Sequence, residues 1–444
     1  MVIERLLASC LSTAQRRPEK DSQPLVRWWA VAGLMLFAAT WKLWTPQTEF
    51  PQVPLFGWAG SLPLFVDWLA FGVLLGSLAT VVWNVDSRRS WLAFVASLGV
   101  LIILDQHRLQ PWAWQLLLMA ICWSSADVGQ VFNLPGRFQD GQVENLPHKL
   151  LTISIYFWSA MSKFDAGFYA SHGQTLVEAL FQSVSINAAG WPASVKWWLA
   201  FSLPLGELLV AIGLCWPRTR RAALIAATAL HVGLILALGP TGLGHRPGVL
   251  LWNIAFIGHD WLLFGKQASE TVTLTRRASE AERTTDIDSR QNDLERSPSL
   301  ARRVSVVCIL FACVWPIMER WGLCDHWLAW SVYSTRIERV GVTLTDEGVQ
   351  RLPESARHLV TDGELWLDRW SLAALDVPVY PQMRFQFGVV EGLRRRCGTD
   401  NLVEVNVQHS QRDGGVIERL TVEQFDERSR AFWINMRPRL LPTP

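Results

Sequence analysis

The sequence predicts a mainly α-helical, polytopic membrane bundle of about nine spans with a small α+β extramembrane domain at its C-terminal end. Three observations carry this expectation. Half of the 444 residues are hydrophobic and only 18% are charged, against roughly a quarter charged in soluble domains. The apolar residues gather in runs of roughly 14 to 20, whereas Lys266 to Arg303 is almost wholly polar or charged. Eighteen of the 25 tryptophans precede Lys266, several of them at the ends of apolar runs. There an apolar ring and an N–H donor suit the membrane–water interface. The net charge of +2 excludes a strongly basic nucleic-acid binder.

The spans fall, in order, near Leu25–Trp44, Leu64–Asn84, Trp91–Leu104, Trp112–Val128, Leu150–Phe164, Trp197–Trp216, Ala222–Gly239, Val249–Phe264 and Val304–Trp321, with a partial span around Gln174–Ser185. Positive charge orients them. The N-terminal tail, residues 1–24, holds Arg5, Arg16, Arg17 and Lys20. Alternate loops hold Arg88 and Arg89, then Arg137 and Lys149, then Arg218, Arg220 and Arg221. The opposite loops hold little beyond Arg108, Lys196 and Arg246. A cytoplasmic N-terminus follows, and an odd number of spans puts the C-terminal domain outside. Residues 265–303 are Ser/Thr/Arg/Glu-rich without apolar periodicity and read as a disordered cytoplasmic linker before a last helix over 304–321.

Residues 322–444 read as the exposed α+β domain. Alternation over Arg339–Leu344, Leu402–Val407 and Gly415–Val422 predicts strands, with Gly414-Gly415 as the turn between the last two. Tyr380–Arg396 predicts a helix that ends near Gly398. The seven cysteines show no metal-ligand spacing. Cys122, Cys215, Cys308 and Cys313 read as core residues, and Cys324 and Cys397 are a candidate pair in an oxidising compartment. Leu7-Ala8-Ser9-Cys10 looks like a lipoprotein cleavage site, but no adequate apolar stretch precedes it, so the first span reads as an uncleaved anchor.

Ionisable groups inside spans are costly and mark functional candidates. Asp105-Gln106-His107-Arg108-Leu109-Gln110-Pro111-Trp112-Ala113-Trp114-Gln115 joins two spans on the outer side. One reading is a polar, aromatic pocket in which Arg108 holds an anion, Asp105 is its counterion and His107 moves protons. The other is an interfacial turn in which Asp105 pairs with Arg108 and Pro111 starts a helix. Lys163, in an apolar setting, is either a base or ligand-binding cation, or a snorkelling residue paired with Asp165. Glu207 lies mid-span and needs a partner such as Lys163 or Arg108. His231 is either a working group or a packed, hydrogen-bonded one. Asp67, Lys42 and Asp127 lie nearer span ends and read as structural or solvated. Trp28, Trp29, Trp41, Trp44, Trp197, Trp198 and Trp216 read as interface anchors.

Together these segments resemble the HTTM (horizontally transferred transmembrane) family, related to vitamin K-dependent γ-carboxylase. Asp105–Gln115 is similar to the family's Asp-Gln-x-Arg-x-Gln-Pro-Trp segment. Ser162-Lys163-Phe164-Asp165 is similar to the carboxylase's Lys-(Leu)-Asp after a small apolar stretch. His231 with Gly248–Trp252 resembles a later His-containing span, and Trp327–Tyr333 the entry into the exposed domain. The likeness covers about residues 25 to 345. It implies a bacterial inner-membrane protein in which Lys163 is the base, His231 and Glu207 are its catalytic supports, and Asp105, Arg108, Gln110, Trp112 and Trp114 are substrate-binding. It also implies a reduced, vitamin K-like quinone and a lipid-soluble quinone or peptide as substrate. The exposed part is far shorter than the carboxylase's, which argues against a propeptide-bearing substrate.

Three functions compete. A carboxylase-like membrane enzyme requires Lys163, Glu207, His231 and Arg108 to converge near the outer side. A non-enzymatic scaffold or partner of a redox or secretion complex, docking through its C-terminal domain, requires intramembrane charges to pair locally. A transporter requires internal symmetry, and no repeat is visible.

Overall fold

The structure is a computed structural model that describes residues 23–124, 145–277, 311–410 and 414–439. It is mainly helical, with one small antiparallel sheet. Helices α1 (Gln23–Ala39), α2 (Phe65–Trp83), α3 (Arg88–Leu104), α4 (Pro111–Ser124) and α5 (Leu146–Met161) each coincide with an apolar run of the sequence. So do α6 (His172–Ser183), α7 (Ala193–Cys215), α8 (Arg220–Leu238) and the Pro247–Gly265 part of α9 (Pro247–Arg277). Among the described residues, four helical stretches are long and apolar enough to cross a membrane: α2, α7, α8 and Pro247–Gly265 of α9. The 17, 17, 14 and 16 residues of α1, α3, α4 and α5 rise only about 21–26 Å, against a hydrocarbon core of about 30 Å.

Local chemistry sets the helix ends. Ser87 caps α3 by accepting from the Ser90 N–H. Pro111 opens α4, where a missing N–H costs nothing. Two expectations need correction. The segment 265–303 is not wholly a linker, because α9 continues through Arg277; no proline interrupts Gly265 to Arg277, and Gln267, Ala268, Glu270 and Leu274 favour helix. The last helix does not run to Trp321, because a 3-10 turn occupies Trp315–Trp321. Pro316 lacks the N–H that an α-helix would use there, and Gly322, at φ +69°, ends the turn. Residues 304–310 lie outside those described.

Contacts across the bundle define its two ends: Arg220 lies over the Phe264 ring at one, and Lys42 and Arg246 reach Asp376 of the C-terminal domain at the other. The loops at 84–87 and 216–219 mark one end and carry Arg88, Arg89, Arg218, Arg220 and Arg221 around them. The loops at 45–64 and 105–110, the turn at 162–165 and Arg246 mark the other, and the C-terminal domain sits there.

That domain is built on a sheet in the order β2-β1-β3-β4, all neighbours antiparallel: β1 Arg339–Leu344, β2 Glu364–Trp366, β3 Leu402–Gln408 and β4 Ile417–Leu420. Gly414 and Gly415 take φ of +84° and +63° in the turn before β4, a conformation glycine adopts without strain. Helix α10 (Leu367–Leu375) follows β2, and α11 (Met383–Cys397) covers the sheet with Phe385, Phe387, Val389, Val390 and Leu393 buried. Cys324 and Cys397 are buried and free rather than paired. The domain is not a separate body hung outside the bundle. Its core is continuous with that of the helices, through Phe50 against Trp370 at 4.6 Å and His107 against Phe385 at 5.0 Å.

Candidate functional site

The Asp105–Gln115 segment is the seam between bundle and domain. After α3, Asp105 Oδ1 accepts the backbone N–H groups of Val53 (3.3 Å) and His107 (3.1 Å). Gln106 donates to the carbonyls of Pro54 (3.1 Å) and Asn435 (2.8 Å) and accepts from Arg384 (3.0 Å). His107 Nε2 meets the Pro378 carbonyl at 2.9 Å, and Gln110 donates to the His107 carbonyl at 2.9 Å. Burial pushes the Asp105 carboxyl up to about 6 despite the opposing pull of Arg108. Burial likewise lowers the His107 imidazole to about 4.

Arg108 does not use Asp105 as its counterion. Its Nη2 lies 2.7 Å from Asp67 Oδ1, and its Nε and Nη1 donate to the carbonyls of Leu43 (2.9 Å) and Leu101 (3.2 Å). The contact with Asp67 is close without being aligned as a hydrogen bond. Asp67, expected to be structural or solvated, has no exposed surface; its other oxygen accepts from Arg439 Nη1 at 2.6 Å. Arg439 Nη2 also reaches the Leu62 carbonyl at 2.6 Å. One carboxylate is therefore clamped between an arginine of the bundle and one near the end of the chain. Trp112 packs edge-on against Phe37 and Trp44, and Trp114 is half-buried against the same core. Arg108 itself has no exposed surface. Of the tryptophans read as anchors, Trp41, Trp198 and Trp216 are exposed, whereas Trp29 and Trp44 are fully buried and belong to the core.

Lys163 and Glu207 do meet. Lys163 follows the C-terminal end of α5, where unpaired carbonyls favour a cation. Its Nζ donates to Glu207 Oε1 and Oε2, both at 2.9 Å, to Ser159 Oγ at 2.6 Å and to the Ser159 carbonyl at 3.2 Å. Glu207 comes from α7, one turn after Pro204, and both residues are buried. Asp165, the alternative partner for Lys163, instead caps the Phe168 N–H at 2.9 Å and accepts from Thr335 at 2.6 Å. A cleft of about 280 Å³ begins one residue beyond Lys163, lined by Phe164, Asp165, Arg320 and Arg336. Arg336 is held by Glu319, and its Nε is buried without a partner. Lys163 itself does not line this cleft.

His231 lies on α8 and touches α5 through Tyr156, whose hydroxyl is 2.7 Å from His231 Nε2. Tyr156 and Lys163 are seven residues apart, a rise of about 10 Å along a helix, so His231 sits deeper in the bundle than the ion pair. Arg108 belongs to the separate cluster at the seam. The four residues expected to converge thus divide among three places. Asp260, Tyr156 and Ser159 were not picked out from the sequence. Asp260 is an acidic residue inside the apolar run Val249–Phe264, and Ser159 and Tyr156 precede Lys163 at helical spacing, so the signal was there.

No family model, curated protein or solved structure matches this chain. Among the described residues, no group of three or more His, Cys, Asp or Glu side chains is arranged to hold a metal ion.

Proposed function

We propose that this chain is an integral membrane enzyme of the HTTM, carboxylase-like type, acting on a lipid-soluble substrate such as a reduced quinone. Lys163 and Glu207 are its proton-transfer couple. The observation that carries the reading is the buried Lys163–Glu207 pair beside a cleft lined by Arg320 and Arg336. Moving one proton from Nζ to a Glu207 oxygen leaves the net charge of the pair unchanged and frees the amine as a base. The two arginines supply positive charge for an acidic or enolate-like group in the cleft. The proposal includes about nine spans, a cytoplasmic N-terminus, an external C-terminal domain and the bacterial inner membrane. The gathering of basic residues at the end away from the domain supports that orientation.

The second reading, a scaffold with the domain as docking module, draws on one specific observation: every hydrogen bond of Lys163 Nζ is satisfied within the chain. Extraction of organic-soluble ligands from protein purified in native lipid discs separates the two. The enzyme reading expects a quinone or other lipid enriched over the bulk membrane with wild-type protein and reduced with Arg336→Gln. Equal lipid profiles for both would overturn it. Trp433 is 92% exposed, so Trp433→Cys in intact cells should react with an impermeant maleimide if the domain is outside.

A further inference from the structure

We propose that His231, Tyr156 and Asp260 form a proton-transfer chain that carries a single mobile proton at zero net charge inside the helix bundle. The argument is a count of hydrogens. Asn253 Nδ2 donates to the Val249 carbonyl at 2.9 Å, which turns Asn253 Oδ1 toward His231 Nδ1, 2.8 Å away. An amide oxygen only accepts, so His231 Nδ1 carries a hydrogen. Beyond it lie two further links, His231 Nε2 to Tyr156 Oη at 2.7 Å and Tyr156 Oη to Asp260 Oδ2 at 2.6 Å. Each link needs one hydrogen, and tyrosine owns one. The second belongs either to His231 Nε2 or to Asp260 Oδ2.

Two states satisfy every link. In one, His231 is an imidazolium that donates to Tyr156, and Tyr156 donates to the Asp260 carboxylate. In the other, protonated Asp260 donates to Tyr156, and Tyr156 donates to neutral His231. To pass between them, the Nε2–H bond breaks as an O–H bond forms on Tyr156, while the tyrosine's own hydrogen moves to Asp260 Oδ2. No atom or charge is gained or lost. This neutrality matters because all four side chains are buried, Asp260 at 2% and Tyr156 at 4% exposure, where an uncompensated charge is expensive. Asp260 Oδ1 is buried without a hydrogen-bond partner. The three elements α5, α8 and α9 each contribute one member, so the chain forms only in the folded bundle. The inference does not rest on the role of Lys163.

The test is solid-state NMR of the full-length protein in bilayers with ¹⁵N-labelled histidine, His231 being assigned by its loss in His231→Gln. The expected wild-type result is a protonated Nδ1, as imidazolium or as the neutral Nδ1–H form. A neutral His231 with its proton on Nε2 and a bare Nδ1 would overturn the proposal. Asp260→Asn mimics the second state, because its amide can donate to Tyr156 but cannot give up the hydrogen. It should lock His231 as neutral Nδ1–H, and an unchanged Nε2 signal from an exchanging wild type would refute the chain. Tyr156→Phe, which keeps the ring, should uncouple His231 from Asp260. A His231 Nε2 signal that still responds to Asp260→Asn in that background would refute it equally.

Discussion

Asp105→Asn and His107→Gln should tilt the pH dependence of stability in opposite directions. Both groups are buried in the seam. The Asp105 carboxyl is raised from 3.8 to about 6 in the folded protein. Between those values the folded state holds a proton that the unfolded state has released, so this group's contribution is full below pH 4 and is lost as pH rises through 6. His107 is lowered from 6.5 to about 4. Between those values the unfolded state holds the extra proton, so its contribution is present above pH 6.5 and is lost as pH falls through 4. Each displacement corresponds to roughly 3 kcal/mol. In the wild type the two slopes nearly cancel between pH 4 and 6. Asn at 105 keeps the oxygen that accepts from Val53 and His107, removes the carboxyl titration and leaves the His107 slope exposed. Relative to wild type, Asp105→Asn should gain about 3 kcal/mol from pH 4 to 6, and His107→Gln should lose a similar amount. Denaturant unfolding in detergent, followed by tryptophan fluorescence at fixed pH steps, reads the difference. Variants whose stability differs from wild type by the same amount at pH 4 and pH 6 would show that neither group titrates differently on folding.

Two further outcomes follow from the same packing. Arg439→Met removes one cation from a buried carboxylate and should cost about 3–5 kcal/mol; limited proteolysis should then cut the C-terminal domain at lower protease concentration, and unchanged cleavage would mean that the clamp does not hold it. A Cβ at Gly258 would lie 2.3 Å from the Trp28 ring of α1, whose indole donates to the Ala255 carbonyl at 2.9 Å. Gly258→Ala should therefore lower stability by about 1–3 kcal/mol, and an unshifted melting curve would argue against close α1–α9 packing.

The elements of the bundle were legible because apolar runs that begin at Ser87, Pro111 and Pro247 leave few alternatives. The strands Arg339–Leu344 and Leu402–Gln408 were legible from period-two alternation, with bounds correct to a residue. Strand Glu364–Trp366 and helix Leu367–Leu375 were not. A three-residue strand has no period, and the apolar spacing of a nine-residue helix is too brief to stand out. Lys163 and Glu207 were each visible as costly charges in apolar surroundings, and their pairing was one of two options open for Glu207. The partner of Arg108 was misassigned because Asp105 is near in sequence, whereas Asp67 and Arg439 are brought to it by folding.

The sequence by itself determined the class of molecule, the order of its helices and which end of the bundle gathers positive charge, because those follow from local apolarity and charge along the chain. Tertiary structure alone decided which charges meet. Asp67 and Arg439 are 372 residues apart, and Tyr156 finds Asp260 across 104. Side-chain partners at such separations depend on helix rotation and depth, which hydrophobic periodicity constrains only to a face. A hydrogen-bonded chain needs its atoms within about 3 Å of one another. For this protein, therefore, some of the polar groups stand out in sequence, and what they do is set by the packing that joins them.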